Sequence, residues 1–163
     1  MFLPYRPPSD NELNMYYPTV APDSLPGTYK FWGNDTKERY EDNLATQDTN
    51  WTYRTKDVEY KLNNEGYRCP EFDTIDWQNS VVILGCSQVF GTGLAEEETI
   101  AVQLQELINC PVLNLGRPGS SIDYSLANNI QLRSNVATPK AVINHWTELM
   151  RETYFGVEKI ATV

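Results

Sequence analysis

The chain has 163 residues, of which 40% are hydrophobic and 21% are charged, so we expect one globular domain with its own core and not a disordered chain. Its formal net charge of -9 disfavours nucleic acid and anionic membranes as partners, because like charges repel. The three cysteines form no CxxC pair, which argues against a zinc site or a disulfide framework and favours a reducing compartment. No metal or other cofactor is predicted, and the apolar runs are too short for a signal peptide or a membrane span.

Residues 1–56 differ from the rest of the chain and are predicted to form an extended, turn-rich N-terminal arm. Regular periodicity is nearly absent there, apart from a short helix predicted at 37–43. Such an arm can wrap its own domain or bind a neighbouring chain, because its aromatic residues are strong apolar anchors. The prolines are Pro4, Pro7, Pro8, Pro18, Pro22 and Pro26, and the anchors are Tyr16, Tyr17, Tyr29, Phe31, Trp32, Trp51 and Tyr53.

Residues 57–163 are predicted to form a domain in which strands alternate with helices. Branched apolar runs without alternation, such as 80–84 and 112–115, are typical of parallel strands that are covered on both faces. The alternating order predicts right-handed crossovers and an α/β fold around a parallel sheet. The predicted strands are 57–62, 80–84, 112–115 and 141–144, and the predicted helices are 99–109, a segment from Ser121 or Asp123 to 133, and 146–155.

The spacing of apolar residues predicts which face of each helix is buried. The inward residues of the helix at 99–109 are expected to be Ile100, Leu104, Leu107 and Ile108. Those of the following helix are expected to be Ile122, Leu126, Ile130 and Leu132. Residues 96–98 are three glutamates, which we expect to be solvated charges that favour the start of the helix.

Glycine-rich turns follow the first two core strands, at Gly85-Cys86-Ser87 and at 116–119. Parallel sheets place their ligands beyond the carboxyl ends of the strands, so both turns should lie at one edge of the sheet. A serine at that edge could act as a nucleophile, with backbone N–H groups around it to stabilise an oxyanion. The sequence around Ser87 matches neither the GxSxG elbow of α/β-hydrolases nor a phosphate-binding loop.

Three blocks of the chain, in order, resemble the SGNH/GDSL hydrolase family. Residues 81–94, VVILGCSQVFGTGL, resemble its first block, and residues 112–121, VLNLGRPGSS, resemble its second. Residues 60–71, YKLNNEGYRCPE, resemble a segment that precedes the domain in many bacterial and viral members. The likeness covers about 60–146, and the whole is also similar to uncharacterised SGNH-like proteins of marine tailed phages.

The resemblance implies a flavodoxin-like three-layer α/β/α fold, of which residues 57–163 would form the first half. It also implies a serine hydrolase that acts on acyl or O-acetyl esters. By the same resemblance, Ser87 stands at the position of the nucleophile and Gly119 at that of an oxyanion donor.

The chain also departs from the family pattern. Cys86 stands where the family has aspartate, and the block D-x-x-H that supplies the base does not occur. His145 is the only histidine and follows the third core strand, so it could reach Ser87, although a histidine satisfied in or near the core is the simpler interpretation. For Cys86, a small buried thiol is a simpler interpretation than a nucleophile.

A serine without a positioned base is a poor nucleophile, so we expect a catalytically impaired SGNH-like domain. It would serve as a structural or binding module in a larger assembly such as a phage virion. The alternative is a serine esterase or acetyl esterase that acts through Ser87, with a base supplied by His145, by residues outside this sequence or by a partner chain. The expected partners are other protein subunits, contacted through the N-terminal arm, and a carbohydrate or acyl ester ligand, in the cytoplasm or in a virion.

Overall fold

The computed structural model describes residues 26–135, 138–151, 153–155 and 160–162. The strands are β1 (Gly27–Tyr29), β2 (Tyr60–Leu62), β3 (Val81–Gly85), β4 (Val112–Gly116), β5 (Ala141–Asn144), β6 (Thr153–Phe155) and β7 (Ile160–Thr162). The α-helices are α1 (Lys37–Thr46), α2 (Ser87–Phe90), α3 (Ile100–Ile108) and α4 (Ile122–Asn135). Short 3₁₀ helices occupy Thr52–Arg54, Phe72–Thr74, Trp77–Asn79 and Glu96–Glu98.

A three-stranded parallel sheet in the order β4-β3-β5 lies at the centre of the chain. Val81 pairs with both Val112 and Ala141, so the three strands start at the same level. Every residue of β3 and β4 is buried, whereas β5 is partly exposed along its length. The α/β class is therefore confirmed, as are the parallel strands predicted at 80–84, 112–115 and 141–144. The strand predicted at 57–62 is shorter, Tyr60–Leu62, and pairs antiparallel with β1 outside this sheet.

The two faces of this sheet carry separate apolar clusters, because side chains alternate along each strand. One cluster joins Val82, Leu84, Leu113 and Leu115 to Tyr67, Trp77 and to Leu132 of α4. The other joins Val81, Ile83 and Val112 to Val89 of α2 and Ala101 of α3. Helices consequently pack on both faces.

The predicted inward face of α3 is wrong at its C-terminal end. Leu107 is 82% exposed and Ile108 is also exposed, whereas Ala101 is buried against the sheet. The helix begins where Thr99 caps it, since the Thr99 hydroxyl accepts a hydrogen bond from the amide of Val102. In the first turn of the helix, the small Ala101 faces the strands.

The predicted inward face of α4 is right for Leu132, which is 5% exposed, and wrong for Leu126, which is 57% exposed. Polar residues occupy much of the buried face instead. The Tyr67 hydroxyl lies 3.3 Å from both the Tyr124 hydroxyl and Asn128 Oδ1. Of the two predicted caps, Ser121 is the one used, because its hydroxyl accepts a hydrogen bond from the Tyr124 amide at 3.3 Å.

The helix predicted at 146–155 is wrong. The backbone after β5 runs without regular structure to a turn at 149–150, and residues 153–155 form β6, which pairs antiparallel with β7. The segment Thr153-Tyr154-Phe155 is β-branched or aromatic throughout, a composition that favours a strand once a pairing partner is present.

The described part of the predicted N-terminal arm, from residue 26 onward, contacts the rest of the domain. Strand β1 pairs antiparallel with β2, and the Trp32 ring lies 6.3 Å from the Phe90 ring. The short helix predicted at 37–43 is confirmed as α1, and the Thr36 side chain caps it. The first 25 residues of the predicted arm lie outside the described residues. Among the described helices, none has the length and apolarity that a membrane crossing requires.

Candidate functional site

The turns that follow the three parallel strands meet at one edge of the sheet. The Gly85 carbonyl at the end of β3 accepts hydrogen bonds from the Arg117 amide (2.9 Å) and the Ser120 hydroxyl (3.0 Å) after β4. The Leu84 carbonyl accepts a hydrogen bond from the His145 amide after β5, at 2.8 Å. The expectation that both glycine turns lie at the same edge is therefore confirmed.

Two glycines allow this close approach. A Cβ atom on Gly116 would lie 2.5 Å from the backbone nitrogen of Phe90, and one on Gly85 would lie 2.5 Å from the Val89 side chain and 3.1 Å from that of His145. Any larger residue at either position would push α2 away from the strand ends. Asn114 of β4 also holds α2 against the strand, because its side-chain amide donates to the Val89 carbonyl at 2.8 Å.

Ser87 is half-buried and is the first residue of α2. Its carbonyl accepts hydrogen bonds from the amides of Gly91 (3.0 Å) and Thr92 (3.1 Å), which closes the turn after the helix. Gly119 is exposed, with φ of 79°, and a Cβ atom there would meet nothing within 4 Å. Ser87 and Gly119 thus lie in the two adjoining turns, and Gly119 borders open space.

Cys86 lies directly before Ser87 and is buried. Burial raises the pKa of its thiol, but hydrogen bonds from the Thr147 side chain, the Gln88 amide and the Ser87 side chain outweigh it, together with the positive charge of Arg151. The pKa of Cys86 therefore lies below its usual value. The Arg151 guanidinium in turn donates to the Thr147 hydroxyl at 3.2 Å, so the segment after β5 supplies part of this environment.

His145 follows β5 at the same edge of the sheet, and its Nδ1 atom is buried. Within the described residues, Nδ1 has no hydrogen-bond partner. The residue lines a cavity of about 80 Å³ between α4 and β5, with Ile122, Ser125, Leu126, Asn129, Asn144 and Trp146. A serine hydrolase would instead have a carboxylate or carbonyl at Nδ1 to orient the ring.

Sequence reasoning missed Arg68, which is buried and holds the turn after α2 in place. Its guanidinium donates to the carbonyls of Gly91 and Leu94, both at 3.0 Å, and of Glu59 in the segment before β2, also at 3.0 Å. It also pairs with Glu96 at 2.6 Å and lies over the Tyr60 ring, 4.9 Å from its centroid. In the sequence, Arg68 is marked only by its place in the block 60–71, between Tyr67 and Cys69.

The glutamates at 96–98 are not simply solvated charges. Glu96 pairs with Arg68, whereas Glu97 and Glu98 both pair with Lys56, at 2.8 and 2.9 Å. Glu98 also accepts a hydrogen bond from the Tyr53 hydroxyl. These contacts tie the described part of the predicted arm to the segment that leads into α3.

Comparison of the chain with protein-family models, with curated proteins and with solved structures finds no match. Within the part of the chain that the structure describes, no group of three or more His, Cys, Asp and Glu side chains could hold a metal ion.

Proposed function

We propose that this chain is an SGNH-like domain with impaired catalysis that serves as a structural or binding module in a larger assembly, such as a phage virion. The observation that carries the proposal is the state of His145. Its buried Nδ1 has no hydrogen-bond partner among the described residues, so nothing there fixes the imidazole in the orientation and tautomer that a base requires.

The order of the strands supports the SGNH-like part of the proposal. If the three parallel strands are counted along the chain, their order in the sheet is second-first-third, with helices on both faces. The first three strands of a flavodoxin-like sheet have the same order. In such sheets the ligand crevice lies where the order of the strands reverses. Here that point is between the carboxyl ends of β3 and β5. Cys86, Ser87 and His145 all follow those two strand ends.

The second candidate is a serine ester hydrolase acting through Ser87 on acyl or O-acetyl esters. The hydrogen bonds between the turns favour it, because Gly85 is held to both Arg117 and Ser120 and so keeps the Ser87 turn beside the loop of Gly119. A nucleophile next to an exposed glycine loop is an arrangement that can stabilise an oxyanion.

One experiment separates the two candidates. The purified protein is incubated with a fluorophosphonate probe and, in parallel, with p-nitrophenyl acetate, and intact mass and released p-nitrophenol are measured. For a module without a working base, we expect no mass increase and no hydrolysis above the rate of the Ser87→Ala variant. Labelling of the wild type that disappears in Ser87→Ala, but persists in Cys86→Ser, would establish the hydrolase instead.

A further inference from the structure

A cavity of about 100 Å³ lies between the segment 30–58 and Gly93, and neither Ser87 nor Gly119 lines it. Four aromatic residues line it, and all four are half-buried, so their rings remain partly accessible. These residues are Phe31, Tyr40, Trp51 and Tyr53. Since about 10–15 Å³ of such space admits one water molecule, the cavity can hold a small organic group.

The aromatic rings form a curved wall and not a flat stack. The Phe31 and Tyr40 rings are 6.2 Å apart and inclined at 49°, and the Tyr40 and Trp51 rings are 6.0 Å apart at 40°. Trp51 and Tyr53 follow at 5.7 Å and 65°. Rings inclined in this way present their faces in different directions, which a single stacked pair does not.

The charges around the cavity favour a cation. Lys30 pairs with Asp57 at 3.0 Å, so its charge is compensated. Lys56 is shared between two carboxylates, those of Glu97 and Glu98.

Asp35 also lines the cavity, and its carboxylate accepts a hydrogen bond from the Tyr60 hydroxyl, a neutral donor, at 2.5 Å. The lining itself carries two ammonium groups, Lys30 and Lys56, and two carboxylates, Asp35 and Asp57. Both lysines are paired with carboxylates, whereas Asp35 makes no ion pair with a cation among the described residues, so its carboxylate can attract a bound cation.

We propose that this aromatic cavity binds a methylated ammonium group. Aromatic faces attract a cation through their quadrupole, and recognition of quaternary ammonium groups by several rings is a known use of this interaction. A methylated ammonium also buries its methyl groups against the rings and has few or no N–H groups that need acceptors. The site is separate from Ser87 and does not depend on the proposed function.

The test compares a cation with a neutral molecule of the same shape. Isothermal titration calorimetry of the full chain with choline, at constant ionic strength, should give saturable binding, whereas 3,3-dimethylbutan-1-ol should bind roughly tenfold more weakly or not at all. Equal affinities, or no binding of choline, would overturn the proposal.

Two variants locate the site. Trp51→Leu keeps an apolar residue and removes the ring, and it should weaken choline binding roughly tenfold. Trp146→Leu is the matched control, because Trp146 is 70% exposed and does not line this cavity, and it should bind choline as the wild type does. If both variants bind equally weakly, choline binds elsewhere and the proposal fails.

Asp35→Asn keeps the shape of the cavity and removes one negative charge. It therefore tests the electrostatic contribution to binding while the Trp51 ring stays in place. Choline affinity should fall several-fold while binding of the neutral alcohol stays unchanged. An unchanged choline affinity would contradict the role of the carboxylate.

The methylated ammonium could belong to a free small molecule or to a modified lysine. A peptide that carries trimethyl-lysine is titrated beside the same peptide with unmodified lysine and beside choline. Tighter binding of the trimethylated peptide than of choline would indicate a protein ligand, and the reverse order would indicate a small molecule. Equal affinities of the trimethylated and the unmodified peptide would overturn the proposal.

Discussion

Cys86 shows how neighbouring groups set the chemistry of one side chain. Its burial disfavours the thiolate, yet hydrogen bonds and the charge of Arg151 favour it more strongly. Cys69 provides the contrast within the same chain, because burial raises the pKa of its thiol and nearby carboxylates raise it further. The pKa of Cys86 should therefore lie below that of an ordinary cysteine, which is about 8.5, and the pKa of Cys69 should lie above it.

This difference predicts the pH dependence of alkylation. Thiolate is the reactive form, so the rate at Cys86 should reach its plateau at a lower pH than the rate at Cys69. Arg151→Gln should move the Cys86 midpoint to higher pH, because a positive charge that favours the thiolate is lost. Iodoacetamide labelling followed by peptide mass spectrometry measures both rates. A Cys86 midpoint at or above that of Cys69 would contradict the assignment.

At the scale of elements, α4 shows that burial follows packing and not hydrophobicity alone. The helix turns polar residues toward the core, because Tyr124 and Asn128 find hydrogen-bond partners in Tyr67. Buried polar groups are tolerated when they are paired in this way. Leu126 is displaced to the surface as a result.

A matched pair of variants in α4 tests this arrangement. Leu132→Ala should lower the free energy of unfolding by about 2–5 kcal/mol, because Leu132 is buried against Leu84 and Leu115 and its loss leaves a cavity. Leu126→Ala is the same substitution on the exposed side and should change it by no more than about 0.5 kcal/mol. Urea denaturation monitored by circular dichroism measures both, and similar losses in the two variants would show that the helix is rotated.

Arg68 acts at the scale of the whole molecule, because it joins segments that are far apart in the sequence. Its donors reach the chain before β2 and the turn after α2, and its ion pair reaches Glu96. A buried guanidinium with these partners is costly to desolvate, and its partners are costly to leave unpaired. The same residue therefore couples the packing of β2 to the position of the Ser87 turn.

Removal of Arg68 should destabilise the fold strongly. For Arg68→Met, we expect a loss of about 3–5 kcal/mol in the free energy of unfolding, since the carbonyls and Glu96 lose their partner. Arg39→Met is the control, because Arg39 is exposed and its side chain donates to the Asn34 carbonyl on the surface. Chemical denaturation compares the two, and a loss below about 1 kcal/mol at Arg68 would refute its structural role.

Local patterns in the chain were sufficient for the central sheet. The run Val81-Val82-Ile83-Leu84, the similar run at 112–115 and the glycines after them predicted parallel strands and a shared edge, because strand propensity and turn chemistry act over a few residues. The short helix α1 was also predictable from its local sequence. The resemblance to SGNH hydrolases, with the roles it implies for Ser87, Gly119 and His145, stays a prediction.

Tertiary contacts decided the rest. Contacts with residues distant in the sequence decide which sides of α3 and α4 are buried. They also decide the strand at 153–155 and the hydrogen bonds of Arg68, so local periodicity could not show any of these features. The surroundings of Cys86 have in part the same origin, because Thr147 and Arg151 come from a segment about sixty residues further along the chain. Short-range propensity determined the strands of the central sheet, and long-range packing and desolvation determined the chemistry at their ends.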